Sequence, residues 1–98
     1  MSEPLPILIV EDDANLRDAV ALTLEVGGYR PIAVGSGPEA LAALEREPVA
    51  MVLTDLKMSP MNGLEVLEAV RRRLPQLPVA LMTAYGDVAS AVAAMRGG

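Results

Sequence analysis

Short apolar runs alternate with stretches of helical periodicity along this chain, and that alternation restricts the fold more than any other feature. The runs are Ile7–Val10, Pro31–Val34 and residues 49–54 and 78–82. The first run is apolar at every position and mostly β-branched, which is typical of a strand buried on both faces of a parallel sheet. The sequence therefore predicts an α/β fold built on parallel strands.

A helix is predicted after each of the first two runs. In the first helix, apolar and small residues recur on one face: Leu16, Ala19, Val20, Thr23 and Leu24. Gly27 and Gly28 then supply the signal that ends a helix. Ser36 and Glu39 have the spacing of a capping box, which predicts the start of a second helix.

Two further helices are predicted. The third carries apolar residues along one side: Leu64, Leu67, Val70 or Arg71, and Leu74. Asp87 is predicted to cap the fourth, whose apolar face is Val88, Ala91, Val92 and Met95. Residues 71–73 are all arginine and complement the negative end of the third helix dipole, so a solvated last turn is preferred to a binding patch. Strands alternating with helices predict a doubly wound parallel sheet with right-handed crossovers.

Composition excludes several classes of function. The chain has 98 residues, which suits one globular domain, and no cysteine, which excludes disulfides and thiol chemistry. A net charge of -5 argues against direct binding to nucleic acid or an anionic membrane, because both need a basic surface. The longest uncharged stretch, residues 74–86, is too short to span a bilayer, and no secretion signal is present. A cytoplasmic location is expected.

Acidic residues follow the first and third strands. Glu11, Asp12 and Asp13 come directly after the first run, and Asp55 follows the third. Because the carboxyl ends of parallel strands meet at one edge of a sheet, these carboxylates are expected to lie close together. Carboxylates so close together repel one another unless a cation offsets their charge, and Mg²⁺ prefers oxygen ligands of this kind. A carboxylate can attack phosphorus, so Asp55 is the predicted nucleophile.

Local roles are the alternative explanation for several of these residues. Capping of the first helix is the preferred interpretation for Asp13. Capping explains neither the pair Glu11 and Asp12 at a strand end nor Asp55, which lies several residues before the next helix. Thr83 follows the fourth strand at the same edge, which favours a phosphoryl contact over local backbone bonding. A half-buried rim position and a conformational role are equally consistent with the next aromatic, at residue 85.

Three blocks of the chain resemble receiver domains of two-component response regulators. They are ILIVEDD at residues 7–13, TDLKM at 54–58 with MNG at 61–63, and MTAYGD at 82–87. The resemblance runs the whole length, and its last block is most similar to activators of the nitrogen-regulation type that work with an alternative sigma factor. It implies a flavodoxin-like receiver fold, a sensor histidine kinase as phosphoryl donor, and an output domain that regulates transcription.

The resemblance also assigns roles to individual residues. Asp55 would be phosphorylated, and Mg²⁺ would be held by Glu11, Asp12, Asp55 and the backbone carbonyl of Lys57. Thr83 would be the switch hydroxyl, and Tyr85 the aromatic that changes its packing. The domain would be a signalling domain and not an enzyme, apart from its own phosphorylation and dephosphorylation.

Two departures from the family pattern are visible. The usual proline four places after the acceptor is replaced by Ser59, with Pro60 next. The family's fifth strand, the lysine at its end and its fifth helix are missing, and Lys57 is the only lysine. The chain, residues 1–98, is therefore expected to be an incomplete receiver domain whose fourth strand forms an open edge. Association of two chains through that edge is one expected outcome.

Two other classes of protein fit parts of the sequence. Residues 35–40 match the G-x-G-x-x-G/A pattern of dinucleotide-binding enzymes, and Asp55 lies 20 residues after Gly35. The pattern follows the second strand instead of the first, however, and Pro38 removes a backbone N–H where phosphate would bind. A phosphohydrolase of the aspartyl-phosphate type shares the nucleophile but usually has an acid two residues later, where this chain has Lys57.

Overall fold

The computed structural model describes residues 4–82, in which strands and helices alternate as predicted. The strands are β1 (Ile7–Val10), β2 (Pro31–Val34), β3 (Met51–Asp55) and β4 (Val79–Met82). The helices are α1 (Ala14–Val26), α2 (Gly37–Arg46) and α3 (Gly63–Arg73). The predicted fourth helix, with its cap at Asp87, lies outside the described residues. No helix in the described range is long and apolar enough to cross a membrane.

All four strands are parallel, in the order β2-β1-β3-β4. The chain moves outward in one direction from β1 to β2 and in the other from β3 to β4. The boundary between β1 and β3 is therefore the point at which the topology switches, where parallel α/β sheets bind their ligands. The predicted α/β class and doubly wound parallel sheet are confirmed.

Helices cover both faces of the sheet. On the first face, strand residues pack with α1 in one apolar cluster: Ile7, Ile9, Val20, Leu24, Met51, Leu53 and Met82. On the second face, the cluster includes alanines from α2: Leu8, Val10, Ala40, Ala43, Val49 and Val52. Every residue of β1 is fully buried, as expected for a strand with both faces covered.

The ends of α1 follow the predicted signals. Asp13 caps the helix, because its Oδ1 accepts a hydrogen bond of 3.0 Å from the backbone N–H of Leu16. Gly27 forms the other cap, and Gly28 has φ of +91°, a left-handed conformation that glycine adopts without steric cost. The capping interpretation of Asp13 is thus confirmed.

The capping box predicted for α2 is only half formed. Ser36 Oγ accepts from the Glu39 N–H at 3.3 Å, but Glu39 Oε2 accepts from the N–H of Gly35, at 3.1 Å, one residue before the cap. A complete capping box, which the sequence analysis did not identify, begins α3 instead. There the side chains of Asn62 and Glu65 each accept from the other's backbone N–H.

The predicted apolar side of α3 was only partly right, because it included Val70, which is buried, together with two leucines that are exposed. Leu64 and Leu74 are 50% and 41% exposed, whereas the residues of α3 that are buried are Gly63, Val66, Ala69 and Val70. The physical reason lies at Gly63, where an added Cβ would collide with the carbonyl oxygen of Asp55. Because the start of α3 lies directly against the end of β3, the face carrying Val66 and Val70 turns toward the sheet.

Two strand boundaries also differ slightly from prediction. The third strand occupies Met51–Asp55 instead of residues 49–54, and the fourth begins at Val79 instead of Pro78. Proline has no N–H to donate to a ladder, although the Pro78 carbonyl accepts from Val52 N–H at 3.0 Å. Within the described range β4 pairs only with β3, and association of two chains through its other edge stays a prediction.

An open apolar pocket lies at the amino-terminal end of the strands. Its volume is about 660 Å³, and its lining comes from the ends of α2 and α3 and from the segments leading into the strands. Its apolar side chains include Leu5, Leu44, Val49, Leu74 and Leu77. Glu45 on its rim pairs with Arg73 at 3.6 Å.

Candidate functional site

Parallel pairing brings the acidic ends of β1 and β3 together. In the β1–β3 register Val10 lies opposite Thr54, so Glu11 and Asp55 occupy the next positions on neighbouring strands. One carboxylate oxygen from each of Glu11, Asp12 and Asp55 lies within 4.8 Å of the other two. The structure therefore gathers three of the predicted site residues at the topological switch point.

Glu11 is the buried member of this acidic cluster, with 1% of its surface exposed. Its Oε2 accepts a hydrogen bond of 3.2 Å from the backbone N–H of Asp13. Burial raises the pKa of Glu11 to about 7, and the Asp12 hydrogen bond and the charges of Asp55 and Asp12 push the pKa in the same direction. The Asp13 hydrogen bond opposes them. The raised pKa of Glu11 therefore comes first from burial, and the neighbouring acids add to it.

Asp55 is half-buried, whereas Asp12 is exposed to solvent. The backbone of Asp55 is held by its neighbours, because buried Thr54 donates its Oγ1 hydrogen to the Asp55 carbonyl at 3.1 Å. The following loop is tied at Leu56, whose N–H donates to Met82 at 3.1 Å and whose carbonyl accepts from Gly63 N–H at 2.9 Å. A fixed backbone thus presents an Asp55 side chain that solvent can reach.

The remaining predicted site residues divide into two groups. Lys57 is exposed in the loop two residues after Asp55, and the role assigned to its carbonyl stays a prediction. Thr83 and Tyr85 lie outside the described residues.

Arg17 was not identified by the sequence analysis, although it contacts the site. Its Nη1 donates a hydrogen bond of 2.9 Å to the backbone carbonyl of Glu11. A long side chain in the first turn of a helix points back toward the helix N-terminus, so its position four residues after the Asp13 cap was an available signal.

The donor set of the acidic cluster suits Mg²⁺. All three donors are carboxylate oxygens, and a hard divalent cation that binds through one or two carboxylates and several waters prefers such ligands. The raised pKa of Glu11 shows that ionising this buried carboxyl group is unfavourable, and a bound cation would offset that cost. The residues present therefore fit the expected ion.

The dinucleotide-binding alternative finds no support at its own motif. The N–H of Gly35, which would face a phosphate, donates to the Glu39 carboxylate. The Glu39 carboxylate therefore takes up the N–H group that a phosphate would need, and its negative charge repels an anionic ligand.

Comparison with known proteins points to the same family that the sequence blocks resemble. The response regulator receiver domain model matches residues 7–98. Response regulator protein FleR of Pseudomonas aeruginosa is 49% identical over 92 residues, which cover 94% of this chain and 20% of FleR. Transcriptional regulatory protein GlrR of Escherichia coli is 36% identical over 96 residues, which cover 98% of this chain and 22% of GlrR. The chain thus spans about a fifth of the length of these relatives.

A solved structure supports the same relationship. A chain in the crystal structure of histidine kinase ThkA in complex with response regulator protein TrrA superposes with a TM-score of 0.77 at 31% identity. The match covers 83% of this chain and 70% of that one. With a family match over nearly its whole length and acids gathered where such a sheet binds its ligand, the chain belongs to the response regulator receiver domain family and is a signalling domain of a two-component system.

Proposed function

We propose that Asp55 accepts the phosphoryl group and that Mg²⁺ is held by Glu11, Asp12, Asp55 and the backbone carbonyl of Lys57. The observation that carries this proposal is the meeting of three carboxylates within 4.8 Å at the switch point of the sheet. Glu11 is buried and has a raised pKa, which leaves the other two carboxylates as candidates for the nucleophile. We assign the role to Asp55 because it ends the central strand β3, where hydrogen bonds at Asp55 and Leu56 fix the backbone.

The proposed reaction is a displacement at phosphorus. A carboxylate oxygen of Asp55 forms a bond to phosphorus while the bond to the donor's leaving atom breaks, and that atom keeps the electron pair. Bound Mg²⁺ would neutralise charge on the phosphoryl oxygens. The contribution of Thr54 and Gly63 is to fix the backbone of the nucleophile, through the hydrogen bonds at Asp55 and Leu56.

Thr83 and Tyr85 would turn phosphorylation into a conformational signal. Met82 lies opposite Asp55 in the β3–β4 register, and Thr83 is the residue that follows Met82 in the sequence. This register supports a role for the Thr83 hydroxyl in contacting the phosphoryl group. Repacking of Tyr85 would then change the surface offered to a partner.

The proposed phosphoryl donor is a sensor histidine kinase, and residues 1–98 would act with an output domain that regulates transcription in the cytoplasm. The match to a chain in a kinase–response regulator complex supports the first partner. The transcriptional relative GlrR, of which the match covers 22%, supports the second. The net charge of -5 favours a role in which this segment contacts neither nucleic acid nor membrane.

The test is phosphorylation by acetyl phosphate with Mg²⁺, followed by intact mass measurement. We expect a mass gain of one phosphoryl group that hydroxylamine removes, and we expect Asp55→Asn to abolish it. Asp13→Asn is the matched control, because Asp13 caps α1 outside the acidic cluster. Phosphorylation of Asp55→Asn at the wild-type rate would show that another residue is the acceptor.

A further inference from the structure

Arg17 contacts the acidic site without belonging to it. Its side chain starts in the first turn of α1, where its own N–H donates to the Asp13 carbonyl at 2.8 Å. From there the guanidinium reaches back to the Glu11 carbonyl at 2.9 Å, across the turn that carries Asp12. One side chain therefore connects the helix to the residue that ends β1.

Glu11 is held at three points by this arrangement. Its N–H donates to the Val34 carbonyl at 3.1 Å, and its carboxylate accepts from the Asp13 N–H at 3.2 Å. The third point is the carbonyl bond from Arg17. The Glu11 carbonyl belongs to the peptide bond that joins Glu11 to Asp12. By fixing that peptide bond, Arg17 influences the direction in which the Asp12 side chain points.

Gly35 provides the space in which Arg17 lies. A Cβ added at Gly35 would stand 3.1 Å from Arg17 Nη1 and 4.0 Å from its Cζ. The Glu39 Oε2, which accepts from the Gly35 N–H, would lie 3.9 Å from the same point. Arg17 is half-buried, and its guanidinium occupies a defined position against a bare glycine.

We infer that Arg17 is a positioning residue for the acidic site, holding the Glu11 carbonyl so that Glu11 and Asp12 present their carboxylates together to Mg²⁺. This inference rests on the proposed function of the site. Mutation of residues that hydrogen-bond to metal ligands commonly weakens metal binding about 10- to 100-fold, which sets the scale of the expected effect at about tenfold.

The experiment is a calorimetric titration of the protein with Mg²⁺, for wild type, three variants of the Arg17–Gly35 contact and one control variant. We expect Arg17→Gln to weaken Mg²⁺ binding about tenfold and Arg17→Lys, which keeps the charge but not the planar fork, to weaken it about threefold. Gly35→Ala should also weaken binding while leaving the net charge unchanged, because it crowds Nη1. Arg71→Gln is the matched control, since it removes the same charge at the exposed end of α3.

A purely structural role for Arg17 would appear elsewhere. Urea unfolding without metal measures stability separately, and Mn²⁺ broadening of the Glu11, Asp12 and Asp55 amide signals reports the position of the ion. We expect broadening at Glu11 and Asp12 to fall in Arg17→Gln more than at Asp55. If Arg17→Gln does not fold, Arg17→Lys and Gly35→Ala decide the question by the same measurements.

The outcomes are distinct. Arg17→Gln binding Mg²⁺ within about twofold of wild type, or Arg71→Gln losing as much affinity, would overturn the inference. If wild type itself binds no Mg²⁺, the proposed function of the acidic site fails as well.

Discussion

The two ends of the parallel sheet differ in the chemistry of their side chains, which are acidic at one end and mainly apolar at the other. At the carboxyl end, Glu11, Asp12 and Asp55 bring three carboxyl groups together with oxygens within 4.8 Å of one another, and Glu11 is fully buried. At the amino-terminal end, apolar side chains line an open pocket of about 660 Å³, and charges such as Arg73 and Glu45 stay on its exposed rim as a pair. At the carboxyl end the side chains repel one another, and a bound cation can relieve that repulsion. At the amino-terminal end the charged side chains of Arg73 and Glu45 are paired and exposed, so no such repulsion arises between them.

The largest expected effect comes from disturbing the backbone at the carboxyl end. Gly63→Ala should lower the free energy of unfolding by about 3 kcal/mol, because the new methyl group collides with the Asp55 carbonyl and lies 2.9 Å from Leu56 Cα. Phosphorylation should slow as Asp55 moves. Urea unfolding and acetyl phosphate kinetics measure the two effects.

Gly27→Ala is the control for that substitution. Its new Cβ would meet its nearest neighbours at 3.5 Å, an ordinary contact, and its φ of -77° suits alanine. A change within about 1 kcal/mol is expected there. Equal losses for the two substitutions would mean that the close approach at Gly63 has no special cost.

The next effect is a pH dependence at the same end. The pKa of Glu11 is raised from 4.5 to about 7, so the folded state binds this proton more tightly than the unfolded state. Its contribution to stability is therefore lost as pH rises through that window, by at most about 3 kcal/mol. Metal-free urea unfolding at about pH 4.5 and about pH 8 measures the loss relative to Glu11→Gln.

Glu11→Gln removes the titrating group and should flatten that part of the profile. Added Mg²⁺ should restore stability to wild type above about pH 7, where the carboxylate is charged. A wild-type profile parallel to that of Glu11→Gln would mean that neither burial nor the neighbouring acids raise the pKa of Glu11 in the folded protein.

A smaller effect is expected at the exposed member of the cluster. Asp12→Ala should raise the unfolding free energy of the metal-free protein by about 1 kcal/mol, because it removes one repelling charge near water. The same variant should lose the stabilisation by Mg²⁺. Asp18→Ala, an exposed acid on α1 outside the cluster, is the control and should keep its Mg²⁺ response. An unchanged Mg²⁺ titration in Asp12→Ala would remove it from the ligand set.

The smallest effect belongs to the amino-terminal end. Arg73→Ala should cost less than about 0.5 kcal/mol, because the Arg73–Glu45 pair is 3.6 Å long and both side chains are at least half exposed. A double-mutant cycle with Glu45→Ala measures the coupling. Coupling above about 1 kcal/mol would show that this end, too, depends on charge.

Much of the carboxyl end could be predicted because its signals are local. A fully apolar run that stops at Glu11, and a third run that stops at Asp55, fix where two strands end. Parallel order then brings those ends together without further information. The cap at Asp13 is likewise a matter of a side chain and a backbone N–H three residues away.

Contacts between distant segments were the part that spacing could not reveal. In α3, the spacing of Leu64 and Leu67 suits a helix face as well as the spacing of Val66 and Val70 does. The face that is buried depends on how the helix meets the sheet, and the close approach of Gly63 to Asp55 is one such contact. At the start of α2, the spacing of Ser36 and Glu39 predicted that they would contact each other. It did not predict that the Glu39 carboxylate would accept a hydrogen bond from the Gly35 N–H.

The position of the acidic site on the central strands has a consequence for hydrogen exchange. Among the described strands, β1 and β3 each have a neighbour on both sides, while β2 and β4 are outermost. Local opening begins where the fewest contacts must break, and each of the two inner strands is held by a ladder on both sides. The backbone amides of β1 and β3 are therefore expected to exchange slowly, and the spacing of the Glu11 and Asp55 carboxylates should persist through local openings elsewhere in the sheet.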